Sequence, residues 1–208
     1  MEKQLIISVG REFGSGGHLT AVELAKRFSI PLYDNEILDK AIASKHITQD
    51  QMDELKSKHI RRYDEAPRDI WISRTVRGYS NSVEENLARI QFEYLKKLAA
   101  SGESFVVVGR CAESVLKGHP ALVSIFVLGD MEQKIKRISA LHNISEDEAE
   151  TMIQRMDKRR KNYHNYYCSV KWGDSRNYDL NINSSRLGLA GTADLLEQYI
   201  RARLAARG

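Results

Sequence analysis

Leu5-Ile6-Ile7-Ser8-Val9-Gly10-Arg11-Glu12-Phe13-Gly14-Ser15-Gly16-Gly17-His18 is the stretch that decides the fold. Leu5 to Val9 is an apolar run with the length of a short buried strand. A glycine-rich turn follows it. From His18 to Phe28, Leu19, Val22, Ala25 and Phe28 recur at helical spacing. Strand, glycine-rich turn and helix in that order is the context a phosphate-binding loop requires. Glycine reaches left-handed backbone without steric cost, so successive N–H groups can point inward and form an anion nest. The start of the helix adds a partial positive charge. Gly14, Ser15, Gly16, Gly17 and His18 are therefore the expected contacts to polyphosphate.

The match to the standard pattern GxxxxGK[ST] is partial. When Gly14-Ser15-Gly16 is set on the usual GSG, Gly17 stands where the lysine belongs. His18 falls at the Ser/Thr position that would ligate Mg2+, and Arg11 replaces the first glycine, with Gly10 just before it. A glycine-rich turn that binds nothing is the alternative reading.

Working outward, Ile30 to Asp34 reads as a second strand that ends in a carboxylate. Helical stretches follow at about residues 36–44 and 49–61. Residues 62–80 are irregular, with Pro67, Trp71, Gly78 and several arginines, and read as a loop or short-helix insertion. Val83 to Ala100 is amphipathic. Phe105–Val108, Leu122–Leu128 and Asp179–Asn183 are further strands, with helices over Glu132–Leu141 and Ala193–Ala205. Ser145 with Glu148 forms a capping-box pattern at the start of a long helix. Strands alternate with helices and are continuously apolar, which predicts a parallel sheet covered on both faces.

A chain of 208 residues suits one domain, or one with an insertion. With 42% hydrophobic and 29% charged residues, disorder as the main state is excluded, and 13 Gly and 3 Pro exclude a collagen-like or linker-like chain. No apolar run approaches the roughly 18–20 residues that span a bilayer. The apolar N-terminal stretch is too short for a signal peptide. Cys111 and Cys168 lack CxxC spacing and read as free thiols in a reducing cytoplasm. The histidines show no HExxH and no paired Cys/His pattern, so no metal site is expected. The net charge of +4 is weak evidence for nucleic acid and fits a small anionic ligand equally well.

Four further segments complete a pattern: Pro31-Leu32-Tyr33-Asp34, Val107-Val108-Gly109-Arg110-Cys111-Ala112, Asp157-Lys158-Arg159-Arg160 with Tyr163, Tyr166 and Tyr167, and Lys171-Trp172-Gly173-Asp174 leading into Asn177-Tyr178-Asp179-Leu180-Asn181-Ile182-Asn183-Ser184. Together with GREFGSGG, they make the chain resemble the cytidylate kinase-like family, a divergent branch of the nucleoside monophosphate kinases, over nearly its whole length. The resemblance implies a P-loop kinase fold: a five-stranded parallel sheet flanked by helices, an NMP-binding helical insertion at about residues 35–80, and a lid at about 145–178. It implies transfer of the ATP γ-phosphoryl to a nucleoside monophosphate, CMP or dCMP foremost, with Mg2+. In this branch the loop also reads GSGG, which makes the missing lysine a family trait.

Phosphoryl transfer needs positive charge around the moving group and in-line placement of the acceptor. The cations that could replace the lysine are Arg11, beside the nest; Arg110, at the carboxyl edge of the sheet; and Lys158 and Arg160 on the long helix. Only Gly109-Arg110 of the family's Gly-Arg-Asp carries over, because Cys111 replaces the Asp; the resemblance gives that Arg the acceptor phosphate. Cys111 reads as packing. Asp34, Asp157, Arg74 and Arg77 are the expected substrate contacts, Asp34 with helix capping as its alternative. Arg159 falls on the apolar stripe of the long helix, with Met152, Met156, Tyr163 and Tyr167. Nucleotides are the expected partners, nucleic acid and membrane are not, and a homodimer stays open. Other readings are a kinase of another small acceptor, a nucleotide-binding regulatory protein without turnover, and an RNA-binding module, which lacks its usual signals.

Overall fold

A computed structural model of the chain describes residues 3–34, 38 and 83–207. The elements are β1 (Ile6–Arg11), α1 (Gly17–Arg27), β2 (Leu32–Tyr33), α2 (Val83–Ala100), β3 (Phe105–Val108), α3 (Ala112–Val115), β4 (Leu122–Leu128), α4 (Met131–His142), α5 (Glu146–Tyr167), β5 (Leu180–Asn183) and α6 (Ser184–Ala206). Of the expected helix at 36–44 only Leu38 is described, helical and buried; the expected helix at 49–61, the insertion with Arg74 and Arg77, and Trp71 lie outside the described residues.

The five strands pair in parallel in the order β2-β3-β1-β4-β5. Both faces of the sheet are covered, which explains the unbroken apolar runs. On one face Ile7 and Val9 of β1 join Ala21 and Leu24 of α1 and Leu196 and Ile200 of α6. On the other, Ile6 joins Phe105 and Val107 of β3, Leu95 and Ala99 of α2, and Ala112 of α3. A third cluster, Ile138 against Ala149 and Ile153, fastens α4 to α5.

Three elements depart most from the sequence reading, the others by at most a residue at an end. β1 runs on to Arg11, because Gly10 and Arg11 stay in register with Phe126 and Val127 of β4. β2 shortens to two residues, paired only with Val106 and Val107. α6 starts at Ser184, capped by Asn183, whose side chain accepts the Ser185 N–H, and it breaks at Gly188 (φ 67, ψ 178); that break interrupts the apolar period. The capping box at Ser145 and Glu148 forms as expected. No described helix is long and apolar enough to cross a membrane.

Candidate functional site

β1 delivers the chain to the carboxyl edge of the sheet, where the glycine-rich turn opens into α1. Gly14 (φ 78) and Gly16 (φ 80) take left-handed backbone, and Gly16 is the N-cap of α1. The first-turn amides of Gly17, His18 and Leu19 have no acceptor inside the helix by geometry. Gly17 N–H reaches Ser15 Oγ at 3.3 Å. Ser15 is buried and His18 is exposed.

The carbonyls of this loop are held from outside. Ser184 Oγ donates to the Ser15 carbonyl at 2.6 Å, Arg137 Nη1 donates to the Gly14 carbonyl, and Arg160 Nη1 donates to the Arg11 carbonyl at 3.1 Å. Asp157 Oδ1 accepts the Phe13 N–H at 2.6 Å. Beneath lies Lys134, buried on α4, within 3.0 Å of Glu12 Oε2 and 3.2 Å of Asp157 Oδ2. Sequence reasoning missed Lys134. The available signal was its place four residues before Ile138, on the buried face of α4.

Beside the loop lies a cleft of about 240 Å³. Arg11, Arg110, Arg159 and Arg160 line it. Arg11 leaves the end of β1 and extends under the backbone. An ideally placed Cβ on Gly17 would sit 2.6 Å from Arg11 Cβ, and one on Gly109 would fall on Arg11 Nη1. Burial first, then the charges of Arg160 and Arg110, push the Arg11 guanidinium down to about 9, against a partial lift from Asp34 and Asp157. Its Nε has no hydrogen-bond partner among the described residues. Arginine keeps its proton in proteins, so that downward push marks positive charge awaiting an anion.

Arg110 closes β3 on a left-handed turn. Gly109 (φ 76), Arg110 (φ 56) and Cys111 (φ 55) are consecutive left-handed residues, and two of them carry side chains. Such backbone costs roughly 1–2 kcal/mol per non-glycine residue and collects at functional sites. The turn sets the Arg110 guanidinium 5.3 Å from the centre of the Tyr163 ring on α5. Arg160 lies 5.4 Å from the Phe13 ring, and burial lowers its pKa while Asp157 raises it. Burial raises the Asp157 carboxyl, opposed by the Phe13 N–H and Lys134. Trp172 packs edge-on against Phe126 at 5.3 Å and forms part of the cleft wall.

Arg11, Arg110 and Arg160 thus share one cleft, and Asp157 grips the adjoining loop. Asp34 acts on Arg11 through its charge. Lys158 is exposed, whereas its neighbour Arg159 faces the cleft.

A profile of the cytidylate kinase-like family matches residues 6–186. A cytidylate kinase from Methanococcus vannielii is 30% identical over 136 residues, 61% of this chain and 75% of that protein. The crystal structure of an uncharacterized protein from Eubacterium ventriosum is 37% identical and superposes with a TM-score of 0.73, covering 95% of this chain and 99% of the other. A shikimate kinase from Bacteroides thetaiotaomicron, 14% identical, shares the fold at a TM-score of 0.53 over 95% of this chain and 98% of its own. With its five-stranded parallel sheet and kinase fold, this chain belongs to the cytidylate kinase-like family.

Proposed function

We propose that this protein transfers the γ-phosphoryl of ATP to a nucleoside monophosphate, with CMP or dCMP as the favoured acceptor. The observation that carries this reading is the half-buried arginine cluster: Arg11, Arg110, Arg159 and Arg160 line one cleft at the sheet edge beside the glycine-rich loop. Guanidinium groups that converge in a half-buried cleft repel one another unless an anion meets them, and they favour the charge that spreads over a transferring phosphoryl.

The residues present fit ATP. The left-handed glycines and the first-turn amides of α1 would hold the polyphosphate, and Arg11 and Arg160 would supply the charge of the absent lysine. Arg110, on its strained turn, would hold the acceptor phosphate. For Mg2+ the donor set is smaller: an imidazole stands at the hydroxyl position, and Glu12 and Asp157 are engaged by Lys134. Asp34 is the carboxylate at the strand end whose charge reaches Arg11. ATP supplies the phosphoryl and Mg2+ offsets its charge. The chain itself contributes orientation and fixed positive charge.

Coupled ADP release across a panel of nucleoside monophosphates tests this. CMP-dependent release supports it. Release only with a non-nucleotide acceptor reassigns the substrate. Retained ATP binding without turnover would favour the regulatory reading, for which Gly17 and the exposed His18 speak.

A further inference from the structure

We infer that Cys111, His164 and Cys168 form a binding site for a zinc-class divalent ion on the wall of the cleft. This goes beyond the kinase reading and does not depend on it. The ligand atoms of the three side chains all lie within 4.8 Å of one another. All three residues are buried, at 3%, 4% and 8% exposure, so competing water is largely excluded. Two sulfurs and an imidazole nitrogen are the donors that zinc selects.

Glu113 orients the histidine ring. His164 Nε2 meets Glu113 Oε1 at 2.7 Å. A carboxylate accepts, so Nε2 carries a proton, and Nδ1 is the nitrogen that an ion would take in place of its own proton. Nδ1 is buried and lies on the side of the ring that interacts with Cys168. A carboxylate that fixes the far nitrogen of a ligating histidine is the usual outer layer of a zinc site. His164 and Cys168 sit one turn apart at the end of α5, and Cys111 caps α3, so the ion would tie the two helices together next to Arg110. Cys111 and His164 line the cleft, so the fourth position of the ion would face it. No local spacing announces the site, because position 111 is far along the chain from 164 and 168.

The test is titration of reduced, metal-free protein with Co2+ and then Zn2+. The expected result is uptake of one equivalent of Co2+, with thiolate-to-metal charge-transfer absorption and the strong visible bands of a tetrahedral ion, lost on adding Zn2+. Zn2+ should also raise the melting temperature. Cys168→Ser, checked for native circular dichroism, should lose the charge-transfer band, and Glu113→Gln should weaken Zn2+ binding about tenfold. Folded wild-type protein that takes up no Co2+ would overturn the proposal, as would a cobalt spectrum unchanged in the double variant Cys111→Ser/Cys168→Ser. A protonated His164 held between Glu113 and Cys168 would give the first of these results.

Discussion

Gly17 and Arg11 share one space: a Cβ at position 17 would lie 2.6 Å from Arg11 Cβ and 3.1 Å from Val127 Cβ. The helix can therefore carry no side chain where a standard phosphate loop carries its lysine. The stem of Arg11 fills that volume, and its guanidinium runs on to Gly109. The lysine is absent because an arginine from the preceding strand has taken its room.

It follows that Gly17→Lys should not restore a conventional loop. Overpacking of this kind costs about 1–3 kcal/mol. The variant should melt at lower temperature and turn over more slowly than wild type. The double variant Arg11→Gly/Gly17→Lys should recover much of the lost stability, which a double-mutant cycle on melting midpoints measures.

Arg110→Ala should lower turnover by about a hundredfold to a thousandfold, as expected when one fixed donor to developing charge is removed. Its melting temperature should stay close to wild type, because the strained turn gains little from its side chain. Steady-state kinetics beside a thermal melt separate this from a structural role, in which the melting temperature would fall with the rate.

Lys134→Met should behave in the opposite sense. It leaves Glu12 and Asp157 without their shared cation, and breaking a buried pair costs about 3 kcal/mol. Asp157→Asn keeps an acceptor for the Phe13 N–H and should cost less. Denaturant unfolding of the two variants checks the order.

The loop and the arginine positions are legible in the sequence because each is a local signal: Gly14 to Gly17 between a strand and a helix, and Arg110 at the end of an apolar run. The bounds of β3 and β4 agree with their apolar runs for the same reason. Lys134, Glu113 and His164 were not legible. Lys134 becomes part of the site only when α4 packs under the loop, and Glu113 only when α5 returns across the sheet edge to bring His164 to it. On α5 the helical spacing puts Arg159 on the inward stripe, and it is Arg159 and Arg160 that line the cleft, whereas Lys158, favoured by the resemblance, is exposed.

Acid should loosen the start of α5. The Ser145 N–H and hydroxyl hold the Glu148 carboxyl below its ordinary value. Its folded pKa lies under the unfolded one, so the contribution is complete above about pH 4.5 and disappears as the pH falls through the folded value. Glu148→Gln should flatten that acid limb in melting curves recorded across pH.

A crystal structure with a non-hydrolysable ATP analogue and CMP decides whether the glycine-rich loop and the cleft arginines hold phosphate together. Polyphosphate should be seated on the amides of the Gly14–His18 loop, with Arg11, Arg110 and Arg160 turned toward phosphate oxygens. Nucleotide bound elsewhere, with the four arginines of the cleft touching no phosphate, would contradict it.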